Sequence, residues 1–128
     1  MKKSFYLFAV VFLFSITVLI AQPKQYVSWS FSQNKLSENE YELVFKAKID
    51  KGWHLYSQIE TPDGPLPTLF EFEKSNDYKL IGKTSEPRPI EQKEPVFDNA
   101  VLRFFENTAV FKQKIKVLSA KPIEVKGL

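Results

Sequence analysis

The residues with the clearest chemical potential lie in "KGWHLYSQ", Lys51 to Gln58. His54, the only histidine in the chain, sits there between Trp53 and Tyr56. An imidazole can act as a general base, a metal ligand or a packed ring. A structural metal site needs a full set of nitrogen and sulfur ligands. His54 with Glu60 or Asp63 offers only a weak substitute, so no metal is expected. A Ser-His-Asp relay would require a nucleophile motif, and none is present. The plainer reading is a strand that puts His54 and Tyr56 on the face opposite Trp53 and Leu55, against a loop or a second layer. Thiol chemistry is closed to these residues as they stand, because the chain has no cysteine.

Two further stretches invite a chemical reading. In "EPVFDNAV", Phe97 is a large apolar residue inside a polar loop, flanked by Pro95, Val96, Asp98 and Asn99. An aromatic loop tip either tucks into a core or covers something. In "TAVFKQKIKV", Lys112, Lys114 and Lys116 share one face. That ladder is most simply a solvated face, and it also guards an edge strand against pairing with other chains. Glu91 and Glu94 read as part of a soluble loop.

The elements that must carry these residues are strands. Period two dominates after residue 22. "YVSWSFS" sets Val27, Trp29 and Phe31 against serines, and "YELVFKAKI" sets Tyr41, Leu43, Phe45, Ala47 and Ile49 against Glu42, Lys46 and Lys48. Such alternation marks half-buried strands. "IDKGW" reads as a turn, with "WHLYS" continuing as a strand. "TPDGPLP" is a loop, followed by strands in "TLFEFE" and "YKLIGK". "SEPRPIEQKEP" reads as a long polar loop. "AVLRFF" and "TAVFKQKIKVL" are strands on either side of "ENT", and "PIEVKGL" begins one more. Short strands at this spacing, with no helical pattern, predict an all-β antiparallel sandwich. Trp29, Leu43, Phe45, Phe70 and Phe111 are the expected core.

The start of the chain differs. "MKKS" is followed by an uncharged apolar run from Phe5 to Ala21. Positive start, apolar run and small residue describe a secretory signal peptide over residues 1–21, with 22–128 as the exported domain. The alternative is a retained N-terminal membrane anchor. Lys2 and Lys3 lie in that leader, so the remainder carries 16 basic and 15 acidic side chains. That near balance, spread along the chain, gives no electrostatic footprint for nucleic acid. Small exported domains often rely on disulfides. This one must rely on burial, and the 8 phenylalanines, 4 tyrosines and 2 tryptophans after residue 21 supply the apolar surface.

The order "WSFS…YELVFKAKIDKGWHLYSQ…GPLPTLFEFE…YKLIGKTSEP…EPVFDNAVLRFFENTAVFKQKIKV" resembles the N-terminal periplasmic domain of the thiol:disulfide interchange protein DsbD family. The likeness runs from about Tyr26 to Gly127, and "KGWHLYSQ" is its strongest piece. The resemblance implies an immunoglobulin-like sandwich in the periplasm. It also implies electron transfer from a membrane partner to periplasmic thioredoxin-like proteins, without a small-molecule cofactor. By resemblance, His54 and Tyr56 line a cysteine site, and Val96, Phe97, Asp98 and Asn99 form a loop that caps it, with Phe97 as the shield. The family's cysteine pair lies in a final hairpin that follows the strand matching "PIEVKGL". The given sequence reaches Leu128 without it, so the expectation is a domain lacking that hairpin and inactive in thiol exchange as written. The competing readings are a cysteine-free exported sandwich that binds a partner or envelope component, and a structural domain of a larger assembly.

Overall fold

A computed structural model of the chain describes residues 5–8, 25–120 and 122–127, the first of these as backbone. Nine strands are described: β1 (Phe5–Phe8), β2 (Val27–Lys35), β3 (Glu40–Ile49), β4 (Leu55–Tyr56), β5 (Tyr78–Ser85), β6 (Ile90–Glu94), β7 (Ala100–Phe105), β8 (Thr108–Val117) and β9 (Glu124–Gly127). Every pairing among them is antiparallel. One sheet has the order β2-β3-β8-β5, a second the order β4-β7-β6, and β1 pairs with β9. The fold is the all-β antiparallel sandwich that the alternation predicts. The expected leader falls, apart from the strand Phe5–Phe8, outside the described residues.

The four-stranded sheet follows from period two. In β3 and β8 every second residue is buried, and cross-strand partners such as Phe45 and Phe111 stand directly opposite each other. Directly opposed side chains on one face are the unit of sheet stabilisation. The core gathers Leu43, Phe45, Phe111 and Ile115 with Tyr78, Phe105, Ile123 and Val125. Trp29 and Phe70, also expected inside, are partly buried and pack against this cluster. Phe45, Phe70 and Phe111 meet at ring-centroid distances of 5.0 and 5.2 Å through Phe70.

Four local expectations need correction. Residues 90–94, expected in a polar loop, form β6 and pair with β7. An edge strand needs a partner on one side only, so a run as polar as "IEQKE" can be a strand without any apolar alternation. "TLFEFE" is not a strand. Phe72 makes a single bridge to Gly127, and the Glu73 N–H donates to the Lys126 carbonyl at 2.8 Å. β8, whose lysine ladder is expected to guard a sheet edge, lies between β3 and β5, and the turn "ENT" leads into it from β7 of the other sheet. Asn107 turns the chain there with φ of 65°, and its carbonyl accepts from the Ile49 N–H at 2.7 Å.

The fourth correction concerns Trp53. The turn after β3 closes with the Trp53 N–H donating to the Asp50 carbonyl at 3.0 Å. Gly52 takes φ of 85°, a left-handed backbone that glycine adopts without strain. The strand therefore starts at Leu55, and neither Trp53 nor His54 belongs to it. The Trp53 ring stacks on Tyr26 at 3.6 Å and remains 47% exposed.

Candidate functional site

The site expected around His54 is built on β7. Leu55 pairs with Phe105 and Tyr56 with Phe104. Side chains of opposed residues share a face, so Leu55 and Phe105 turn to the core while Tyr56 and Phe104 turn away from it. Leu102 shares the Phe104 face, and both are buried although neither belongs to the main core cluster. His54 lies over this second face. Its ring stacks on Phe104 with centroids 4.1 Å apart and planes 17° from parallel. Its Nε2 is 3.1 Å from Oε1 of Glu106. The small sheet thus carries an aromatic platform of His54, Tyr56 and Phe104, with the carboxylate of Glu106 fixing the imidazole at one end.

After Tyr56 the chain continues along β7. The Ser57 N–H donates to the Arg103 carbonyl at 2.9 Å, and the Thr61 hydroxyl donates to the Val101 carbonyl at 3.4 Å. Beyond Ala100 lies the loop bearing Val96, Phe97, Asp98 and Asn99. Pro95–Phe97 form one turn of 3-10 helix, and Asp98 and Asn99 follow with φ of 56° and 59°. Asp and Asn tolerate that left-handed backbone better than most residues. The Asn99 N–H closes the hairpin on the Glu94 carbonyl at 3.1 Å. Phe97 is half-buried here, and Val96 is the tip residue, 83% exposed.

Two expected parts of the site are therefore brought together and a third stands apart. His54 stacks on Phe104 and Tyr56 stands opposite Phe104 on the same face, whereas the loop joins β7 at Ala100. Four residues of strand separate the two, about 14 Å at the usual rise. Leu102 and Phe104 lie between, so the outer face of β7 is flanked by rings at one end and by the loop at the other. Among the described residues no group of three or more His, Cys, Asp or Glu side chains is placed to hold a metal ion.

A polar cluster close by was missed from sequence. Ser57 is fully buried, and its hydroxyl donates to Oε2 of Glu86 at 2.5 Å. Oε1 of the same carboxylate accepts from the Gln58 backbone N–H at 2.9 Å and from Gln58 Nε2 at 3.1 Å. Gln113 is buried on the inner face of β8. Its Nε2 donates to the carbonyls of Gly82 at 3.2 Å and Lys114 at 2.8 Å, and its Oε1 accepts from the Thr84 hydroxyl at 2.8 Å. These bonds hold the register shift in β5 between Ile81 and Ser85, where Gly82 takes φ of 70°. The one legible signal was Gln113 itself, a polar residue on an otherwise apolar face. An open cleft of about 590 Å³ runs beside this cluster, lined by Leu69, Phe70, Phe72, Leu80 and Lys83 among others.

Compared with protein families, characterised proteins and solved structures, the chain matches none. The class that fold and site define is an antiparallel β-sandwich with an aromatic platform on its smaller sheet.

Proposed function

We propose that this sandwich is the scaffold of a periplasmic thiol:disulfide interchange domain of the DsbD N-terminal type. It would receive electrons from a membrane partner and hand them to periplasmic thioredoxin-like proteins. The observation that carries the reading is the second buried face of β7, where His54 stacks on Phe104 and Tyr56 is its cross-strand partner, on a sheet that also faces the core. A strand has no need of rings on both faces for burial alone. Rings on the outer face exclude water from one side of a reactive group, and the loop at Val96–Asn99 closes the other end of the same strand.

Thiol–disulfide exchange needs a thiolate that attacks a disulfide sulfur. These residues hold no cysteine, so the reactive pair belongs, on this reading, to a hairpin that follows β9. The chain's own share of the work is positioning. Glu106 orients His54, His54 and Tyr56 form a wall of rings, and Val96 and Phe97 shield the pair from small oxidants and reductants.

The test is to express the chain together with the coding sequence that follows Leu128. Two cysteines within a hairpin's length and reduction of a disulfide-bonded protein substrate are expected. In that protein Phe97→Ala should speed alkylation of the thiols. Following sequence without cysteines, or alkylation unaffected by Phe97→Ala, would remove this reading and leave a cysteine-free exported binding or structural module in its place.

A further inference from the structure

The outer face of the four-stranded sheet concentrates charge that the linear sequence disperses. Strand register places Lys46 and Lys48 of β3, Lys112, Lys114 and Lys116 of β8, and Lys79 of β5 on this one face. The five on β3 and β8 alternate with core residues, so burial of their neighbours sets their direction, and Lys79 shares the face as the cross-strand partner of Lys116. The acidic residues on the same strands and face are Glu40 and Glu42. Six lysines against two glutamates leave four net positive charges on this face, although the chain after residue 21 carries 16 basic and 15 acidic groups in all. The rest of the domain is correspondingly acidic.

Sheet stability gives no reason for this arrangement. Lys79 and Lys116 stand directly opposite each other, and like charges in that position destabilise a sheet. Among the described residues, Lys112 is the one lysine of the six with a carboxylate in ion-pair range, Glu42 at 3.8 Å. The face is also long. Rows of residues from Glu40 and Lys116 to Lys48 and Thr108 span about 27 Å at the usual strand rise. On β2 it continues as a stripe of hydroxyls from Ser28, Ser30 and Ser32.

We propose that this face is a docking surface for an anionic lipid bilayer. The cations are all lysine. Arginine, which grips single phosphates or carboxylates in a fork, is absent from the face, and lysine is a hydrated point charge suited to a diffuse anionic plane. No aromatic side chain stands among the lysines, so the base stacking that single-stranded nucleic acid would use is missing. The described clefts lie at β5, β9 and residues 58–75, and of the six lysines they touch only Lys79. A bilayer asks for neither fork, ring nor cleft. It attracts basic side chains within a Debye length of its surface, and the serine hydroxyls supply donors for phosphate oxygens. Docked this way, the smaller sheet with its aromatic platform points away from the lipid. The proposal stands independently of the thiol-exchange reading.

The experiment uses the full chain with vesicles of phosphatidylcholine alone or mixed with phosphatidylglycerol. Its apolar stretch from Phe5 to Ala21 has an affinity of its own for any bilayer, so orientation is read as well as binding. An amine-reactive label followed by mass spectrometry should show Lys46, Lys48, Lys112, Lys114 and Lys116 protected several-fold relative to Lys35, Lys51 and Lys93 on the anionic vesicles only. The triple variant K112Q/K114Q/K116Q should lose about a hundredfold in the difference between anionic and neutral vesicles, at roughly fivefold per lysine. K35Q/K51Q/K93Q has the same net charge and should lose no more than about threefold. Uniform labelling of all these lysines, equal losses in the two triples, or binding to an acidic polypeptide without protection on vesicles would each overturn the proposal.

Discussion

The β3–β8 pair and the β4–β7–β6 sheet are built on opposite plans. β3 and β8 are 10 residues each, with one face wholly in the core and the other wholly outside it. β4 has 2 residues, β6 has 5 and β7 has 6. Yet β7 is buried on both faces, Phe105 towards the core and Leu102 with Phe104 on the opposite face, where His54 stacks on Phe104. A long regular strand with one buried face is a foundation. A short strand with two buried faces, bounded by a turn and a loop with positive φ, is where the fold departs from the rule that serves folding alone. That difference assigns stability to the first region and any chemistry to the second.

The largest expected effect tests the foundation. Phe111 is fully buried and its neighbour on the other face, Lys114, is exposed. Phe111→Ala should cost about 3–5 kcal/mol in denaturant unfolding, and Lys114→Ala no more than about 0.5 kcal/mol. Equal costs would show that the register of β8 has been misassigned. Next comes the polar pin between β8 and β5. Gln113→Leu keeps the volume but leaves the Gly82 carbonyl and the Thr84 hydroxyl without a buried partner. The expected cost is about 1–3 kcal/mol. A neutral or stabilising outcome would mean that the bulge in β5 holds without its glutamine.

These contrasts also show how far the sequence could be read. The β3 and β8 faces were legible because alternation over ten residues leaves one solution. β7 was legible as a strand, but its partners were not. Leu55 and Tyr56 are too few to show a period, and "IEQKE" shows none. Trp53 reads as a strand residue only when the pattern is extended through a turn, where Gly52 in fact reorients the chain. His54 and Tyr56 were legible as sharing a face, but not that Phe104 stands on it, because that depends on register across a sheet. The Lys112–Lys116 ladder was legible, but its union with Lys46, Lys48 and Lys79 into one face was not, for the same reason. Lys46, Lys79 and Lys114 are far apart in the chain and become neighbours only through strand pairing. The pairing of Ser57 and Gln58 with Glu86 likewise spans 28 or 29 positions.

An intermediate effect comes from Tyr78, at the start of β5. Its hydroxyl donates to the Glu73 carbonyl. Burial, and then the nearby Glu73 carboxylate, raise the phenol above its ordinary value of 10.0. The folded state therefore holds this proton more tightly than the unfolded chain does. Its contribution is complete below pH 10 and is lost as pH rises through the unfolded value towards the folded one. Tyr78→Phe should cost about 1 kcal/mol near neutrality and should flatten the alkaline decline expected in melts of the wild type. An unchanged decline would place its origin elsewhere.

The smallest expected effect is at the platform, and it sharpens the comparison most. Nε2 of His54 and Oε1 of Glu106 are 3.1 Å apart, with side chains 38% and 47% exposed. A pair so open to water is screened, so a double-mutant cycle of His54→Ala with Glu106→Gln should return a coupling of about 0.2–1 kcal/mol. The stacking of His54 on Phe104 is a separate contribution. His54→Phe keeps the ring and removes the nitrogen, so it should retain most of the stability that His54→Ala loses, while abolishing the coupling to Glu106. If the coupling proved as large as the cost of opening the core at Phe111, the platform would be part of the foundation and the division between the two regions would fail. A small coupling together with a preserved ring contribution would mean that Glu106 aims the imidazole without holding the sheet together. That is what a positioning role for Glu106 requires: loss of orientation on Glu106→Gln, visible as broadened or shifted His54 ring resonances, in a protein whose melting temperature barely moves.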